Sequence, residues 1–111
     1  MEDVLDEINL LEIQTGQIEN ALLHMIDEIN QSNPKAKIRK GRIWGNTLDN
    51  GLTWMVEYGD GPDYIALNYK PRYPLHGFVG EFRVIAGKFI HQCANVGKAF
   101  DKIEELLREL Y

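Results

Sequence analysis

Lysine and arginine are absent from the first thirty-one residues, although the chain contains 12 of them in all. The same segment carries eight carboxylates, whereas residues 32–92 carry nine basic and five acidic side chains. The formal net charge of −5 makes the whole protein a poor generic ligand for polyanions, so any nucleic-acid contact would need a local basic patch. Surfaces of opposite charge are therefore expected on different segments of the fold.

Disulfides, signal peptides and membrane-spanning runs are also missing. The single cysteine, Cys93, has no intramolecular partner. No apolar run approaches the roughly 18 residues of a spanning helix, and no basic start precedes an apolar stretch with a small-residue cleavage site. These absences predict a cytoplasmic protein with no membrane role. The length of 111 residues predicts one domain, 1–111, that buries its own core.

Motifs for catalysis and for cofactor or metal binding are not found. The ten glycines are scattered through turns rather than grouped into a phosphate-binding loop, and there is no nucleophile elbow or HExxH pattern. His91 and Cys93 give only two potential metal ligands, fewer than a zinc site needs. The sequence therefore predicts a protein that is not an enzyme and needs no cofactor or metal.

An amphipathic helix is predicted over about residues 3–31, because apolar side chains recur there at steps of four and three. They are Val4, Ile8, Leu11, Ile18, Leu22, Met25 and Ile29. About 28 helical residues span ~42 Å, more than the ~30 Å of a compact small domain. Either Thr15-Gly16 breaks the helix or another chain covers its overhanging end, and we favour a continuous helix whose end meets a partner.

An antiparallel sheet is predicted over about residues 37–70, possibly to 86. Asp49-Asn50-Gly51 separates two runs rich in β-branched and aromatic residues, and Asn-Gly in that setting is typical of a hairpin. The turn residues at 59–63 and the alternation at 64–69 predict a third strand. Residues 77–88 fit a strand and a helix equally well.

A second amphipathic helix is predicted over about residues 88–110, where apolar residues from Phe89 to Leu110 again recur at steps of four and three. The predicted fold class is α+β, with a long N-terminal helix, a three- to four-stranded antiparallel meander and a C-terminal helix. Two apolar helix faces on one sheet make a two-layer architecture.

A possible basic patch lies where the first helix gives way to the first strand. Its members are Lys35, Lys37, Arg39, Lys40 and Arg42. Alternation along a strand prevents these cations from sharing one sheet face. They are interpreted as charges that guard an edge strand or pair with the acidic helix, with protein binding and nucleic-acid binding as alternatives.

The preferred partner-binding site is a proline-stiffened loop in which aromatic and cationic side chains interleave. Its residues are Tyr69, Lys70, Arg72, Tyr73 and His76. Stiff loops lose little entropy on binding, and Tyr and Arg are favoured interface anchors. A loop packed down by its own tyrosines is the alternative. Trp44 and Trp54, on either side of the Asn-Gly turn, are expected in the core, with a cross-strand pair or a stacking platform as alternatives.

The sequence as a whole favours a small acidic protein-binding module that covers a partner's surface, such as an inhibitor, an immunity or counter-defence factor, or a secretion-type chaperone. The predicted helix interface comprises Val4, Ile8, Leu11, Ile18 and Leu22. Homo-oligomers through this helix are expected not to be parallel, because acidic flanks would then face their own copies. The alternatives are a nucleic-acid-binding module using the basic strand 35–42 and the tryptophans, and a small-ligand-binding domain using Tyr64, Tyr69, His76 or His91.

Overall fold

The computed structural model describes residues 2–47, 51–59, 63–72 and 80–110, and residues 2–11 and 42–47 are described by their backbone. These ranges form two helices and five strands. In chain order they are α1 (Glu2–Ser32), β1 (Arg39–Thr47), β2 (Gly51–Glu57), β3 (Tyr64–Pro71), β4 (Gly80–Ala86), β5 (Phe89–Cys93) and α2 (Val96–Glu109). The predicted α+β class, with helices flanking an antiparallel meander, is confirmed.

Helix α1 is continuous through Thr15-Gly16. A Cβ atom added at Gly16 would meet nothing within 4 Å, so the glycine serves no close approach of another element. At the other end of the helix the Asn30 side chain fixes the connection to β1. Its amide donates to the Ile38 carbonyl and accepts from the Ile38 N–H, both at 2.9 Å.

The five strands are hydrogen-bonded in chain order, and every neighbouring pair is antiparallel. The predicted hairpin is present as β1 and β2, while Asp49 and Asn50 of its turn lie outside the described residues. Gly51, the first residue of β2, has φ +73°, a left-handed conformation that favours glycine. Residues 80–86 form β4, so this part of the ambiguous stretch is a strand.

The second helix was predicted from about residue 88, and this boundary is wrong. Phe89–Cys93 forms the edge strand β5, joined to β4 by Gly87-Lys88 with Gly87 at φ +61°. A two-residue loop with a positive-φ glycine matches the twist of a tight hairpin. Helix α2 begins only at Val96. Asn95 caps it, because its side chain accepts a 2.9 Å hydrogen bond from the Lys98 N–H.

The core lies between the two helices and one face of the sheet. Helix α1 and the chain after it contribute Ile18, Leu22, Met25, Ile26, Ile29, Ala36 and Ile38. The strands contribute Leu52, Trp54, Val56, Ile65, Leu67, Tyr69, Phe82 and Val84, and α2 contributes Ala99, Ile103 and Leu107. Because one continuous cluster joins the apolar faces of both helices to a single face of the sheet, both helices pack on the same side and the architecture has two layers.

Helix α1 is much longer than the sheet is high. Its 31 residues span ~46 Å, close to the 49 Å long axis of the molecule, whereas the nine residues of the longest strand span only ~30 Å. Neither of the helices among the described residues is long and apolar enough to cross a bilayer.

Candidate protein-interaction surfaces

Tyr69, assigned by sequence to the partner-binding loop, is a core residue. Strand β3 continues through Pro71, so Tyr69 follows Ile65 and Leu67 on the face covered by the helices. Its ring stacks on Phe82 with centroids 4.5 Å apart and planes 5° apart, and its hydroxyl donates a 3.0 Å hydrogen bond to Gln14 Oε1. The prediction that Tyr69 contacts a partner is therefore corrected.

Two other residues of the predicted partner-binding site are exposed to solvent. Lys70 and Arg72 are exposed at the end of β3 and line a shallow groove with Gly80 and Glu81. Tyr73 and His76 lie outside the described residues. Lys70 and Arg72 are therefore accessible to a partner, whereas Tyr69, the first aromatic residue of the predicted site, is buried in the core.

The basic patch is split between two environments. Lys40 forms an ion pair with Glu19 of α1, and Arg39 lies 3.7 Å from Glu57 on β2. Lys35 and Lys37 are exposed in the connection before β1. Strand β1 is an edge strand, so its cations stand where charged side chains discourage edge-to-edge pairing. The side chain of Arg42 lies outside the described residues.

The predicted helix interface is also divided. Ile18 and Leu22 are buried in the chain's own core, so they are not available to a partner in this state. The side chains of Val4, Ile8 and Leu11 lie outside the described residues. Ile13, just beyond them, is 57% exposed. Of the predicted interface residues whose side chains are described, none is therefore exposed, whereas Ile13 is.

The two tryptophans are not cross-strand partners. In the β1–β2 register Trp54 lies opposite Ile43, and Trp44 lies opposite Thr53. Trp54 is buried in the core, as predicted, and its indole N–H has no hydrogen-bond partner among the described residues. An unpartnered buried N–H costs about 1–3 kcal/mol, so Trp54 is held there by packing rather than by polar contacts. This placement removes Trp54 as a stacking platform.

Among the described residues, the most exposed large apolar side chains belong to β5, a strand that the sequence did not single out. Phe89 is 69% and Ile90 64% exposed, and the strand Phe89–Cys93 contains no charged residue. On the sheet face away from the helices Ile90 ends an apolar row across four strands. The row is Met55, Ala66, Ile85 and Ile90. The glycine turn at 87–88 between two strand-like runs was the signal that could have revealed this hairpin.

A groove of about 670 Å³ lies beside β5 on the helix side. The strand wall is formed by 90–94, and the α2 wall by Lys98, Asp101, Lys102 and Glu105. Burial raises the pKa of the Cys93 thiol, while the Lys102 ammonium opposes this shift. The thiol donates a 3.6 Å hydrogen bond to the His91 carbonyl. Cys93 is thus protonated at neutral pH, a state unsuited to nucleophilic attack.

The alternative of a small-ligand-binding domain relied on Tyr64, Tyr69, His76 or His91. Tyr64 is exposed at the start of β3, whereas His91 lines the groove beside β5, so these two residues do not converge on one cavity. Among the side chains that the structure describes (12–41, 51–59, 63–72 and 80–110), no three from His, Cys, Asp or Glu approach closely enough to hold a metal ion. Comparison with protein-family models, curated proteins and solved structures finds no match for the chain. The geometry of the surfaces is therefore what bears on function.

Proposed function

We propose that the protein is a small, acidic, cytoplasmic module that binds another protein through the N-terminal part of α1 and covers part of its surface. Inhibitors, immunity or counter-defence factors and secretion-type chaperones act in this way. The observation that carries the proposal is the length of α1, which exceeds the height of the sheet by about half.

Contacts along α1 locate the overhang, by which we mean helical residues 2–13, before the first anchored side chain. Gln14 is bonded to Tyr69, Glu19 pairs with Lys40, and Asn30 clamps Ile38, so the helix is anchored to the sheet side from residue 14 onward. The first twelve residues extend ~18 Å before that anchor. An isolated helical segment of this length is marginal in water, which favours a role that supplies it with a neighbour.

Sequence chemistry on the overhang indicates what kind of neighbour fits. Val4, Ile8 and Leu11 recur at helical spacing, and five carboxylates accompany them without a single cation. The carboxylates are Glu2, Asp3, Asp6, Glu7 and Glu12. An apolar stripe bordered by anions fits an apolar groove with a basic rim. A nucleic-acid partner is disfavoured because this surface is anionic and two of the opposing cations, Arg39 and Lys40, already face carboxylates of the same chain.

The test is affinity capture from the native host with four baits. They are the full chain, a chain lacking residues 2–11, the overhang reversal Asp6→Lys/Glu7→Lys, and the matched reversal Asp27→Lys/Glu28→Lys on the anchored part of the same helix. We expect one protein to be retained by the full chain and by the matched reversal, and to be lost from the other two baits. Equal capture by all four, or capture of nothing, contradicts the proposal. Binding to DNA or RNA that weakens steeply with salt would support the alternative instead.

A further inference from the structure

The two edges of the sheet are treated very differently. Strand β1 begins with Arg39-Lys40 and presents cations at its edge, a common protection against pairing with another chain. Strand β5 has no Lys, Arg, Asp or Glu from Phe89 to Cys93, and two of its exposed side chains, Phe89 and Ile90, are aromatic and aliphatic. An uncharged, apolar edge exposes unpaired N–H and C=O groups to any strand that reaches it.

The α2 wall of the adjoining groove carries a charge pattern that matches itself when reversed. In chain order the wall reads Lys98, Asp101, Lys102 and Glu105. When a second copy of α2 runs antiparallel beside the first, Lys98 stands opposite Glu105 and Asp101 opposite Lys102. Both crossings occur twice, and all four join opposite charges. A parallel copy instead places each charge beside its own kind.

The strand wall of the same groove comprises 90–94, which overlaps strand β5 (Phe89–Cys93) except at its two ends. The midpoint of the strand is His91, and the α2 wall is centred between Asp101 and Lys102. If both walls meet their own copies, a single twofold axis must relate the two strands and the two helices. A twofold interface uses the same patch on both subunits, which is the property that the reversed charge pattern satisfies.

We propose that two copies of the chain pair edge to edge through β5, antiparallel, to form one continuous ten-stranded sheet across a twofold axis at His91. This register pairs all five residues of the strand, placing Phe89 opposite Cys93 and Ile90 opposite Gln92 of the second copy. Phe89 then fills the groove of the other subunit. On the sheet face away from the helices, the apolar row that ends at Ile90 is then bordered by β5 of the second copy.

The strand contact alone is only ~17 Å long, less than a standard interface of about 800 Å² per partner needs. The groove walls supply the remainder, because Lys98, Asp101, Lys102 and Glu105 are brought against their counterparts. This dimer uses neither the α1 overhang nor the partner proposed for it, so it stands or falls independently.

The test is the dimer dissociation constant of the full chain, measured by analytical ultracentrifugation over a concentration series. We expect the wild-type chain to dimerise and Ile90→Lys, which places a charge within the edge, to raise the constant by about tenfold or more. Ile13→Lys is the matched control, since Ile13 is similarly exposed but lies on α1, and it should leave the constant unchanged. Circular dichroism checks that each variant is folded.

A charge-swap series isolates the groove. Lys98→Glu/Lys102→Glu leaves only anions on the α2 wall and should weaken the dimer, whereas adding Asp101→Lys/Glu105→Lys restores the reversed pattern and should recover it. A monomeric wild-type chain overturns the proposal. So does a dimer that survives Ile90→Lys and the double reversal, or one that is lost when residues 2–11 are removed, since that dimer would be formed by α1.

Discussion

Tyr69 donates a 3.0 Å hydrogen bond to Gln14 Oε1 in the interior, joining the middle of α1 to the central strand β3. Both side chains are buried. Among the side chains that the structure describes, Gln14 is the only polar, non-aromatic one that is buried. Among the residues of α1 whose side chains the structure describes, Gln14 is the first that is buried, after the exposed Glu12 and Ile13. The contact therefore anchors α1 to the sheet at this point of the helix.

Replacing Tyr69 with phenylalanine keeps the stacked ring on Phe82 and removes the hydroxyl. The Gln14 oxygen loses this donor in a buried position, and a buried acceptor deprived of its donor costs about 1–3 kcal/mol. We expect Tyr69→Phe to lower the free energy of unfolding by that amount, measured by urea denaturation. An unchanged midpoint at an unchanged slope would contradict the assigned bond.

A double-mutant cycle separates this bond from other contacts of the two residues. Gln14→Met removes the acceptor and keeps a side chain of similar length. We expect Tyr69→Phe/Gln14→Met to cost less than the sum of the two single changes, because each single change already breaks the hydrogen bond that the double change breaks only once. Strictly additive losses would show that the two side chains do not interact.

Local signals allowed most of the sheet to be predicted. The Asn-Gly pair located the β1–β2 hairpin, because that dipeptide suits the positive φ of a tight turn, and Gly51 has φ +73°. The role of Tyr69 was mistaken for a tertiary reason. The proline at 71 was interpreted as the start of a loop, but it ends an antiparallel strand whose inward positions are Ile65, Leu67 and Tyr69.

Strand β5 was mistaken for helix because short segments satisfy both periods. Phe89, Cys93 and Val96 are spaced by four and three residues, yet only Val96 is in the helix. What decides is the pairing of Phe89–Cys93 with β4, a contact that the local spacing does not encode. The exposed edge, and with it the groove, was therefore beyond reach from helical periodicity.

Gly16 is a site where stability can be gained. It lies in the interior of a continuous helix, and an added Cβ would meet nothing within 4 Å. Alanine loses less backbone entropy than glycine when a helix forms, by about 0.5–1 kcal/mol. We expect Gly16→Ala to raise the free energy of unfolding by that amount, measured by chemical denaturation.

The matched control is Gly97→Ala, in the first turn of α2. A Cβ there would lie 3.3 Å from the Asn95 Oδ1 that caps the helix, so crowding of the cap offsets the gain in propensity. We expect a smaller gain than at Gly16, or a loss. The reverse order would indicate that α1 is frayed at Gly16 in solution.

Gly51 and Gly59 share a left-handed backbone but not the same surroundings, with φ of +73° and +71°. Alanine at either position carries the left-handed penalty of roughly 1–2 kcal/mol. At Gly51 the new Cβ would also press against the backbone of Tyr69 and Lys70, whereas at Gly59 it meets nothing within 4 Å. We expect thermal unfolding to show a clearly larger loss for Gly51→Ala, and equal losses would contradict the close approach of β2 to β3.

Alkylation of Cys93 should be slow at neutral pH and should accelerate only in alkaline solution. The thiolate is the reactive form, and burial raises the pKa of Cys93 above its ordinary value, so less thiolate is present at any pH below that pKa than in an unfolded chain. Lys102→Ala removes the ammonium that opposes this shift, so it should raise the pKa further and slow iodoacetamide labelling at pH 8. Lys88→Ala, which removes a cation outside the groove, is the control. If the folded chain is labelled as fast as the chain in urea, the thiol is not buried. In the proposed dimer Phe89 of the second copy covers Cys93, so we also expect labelling to slow as the protein concentration rises.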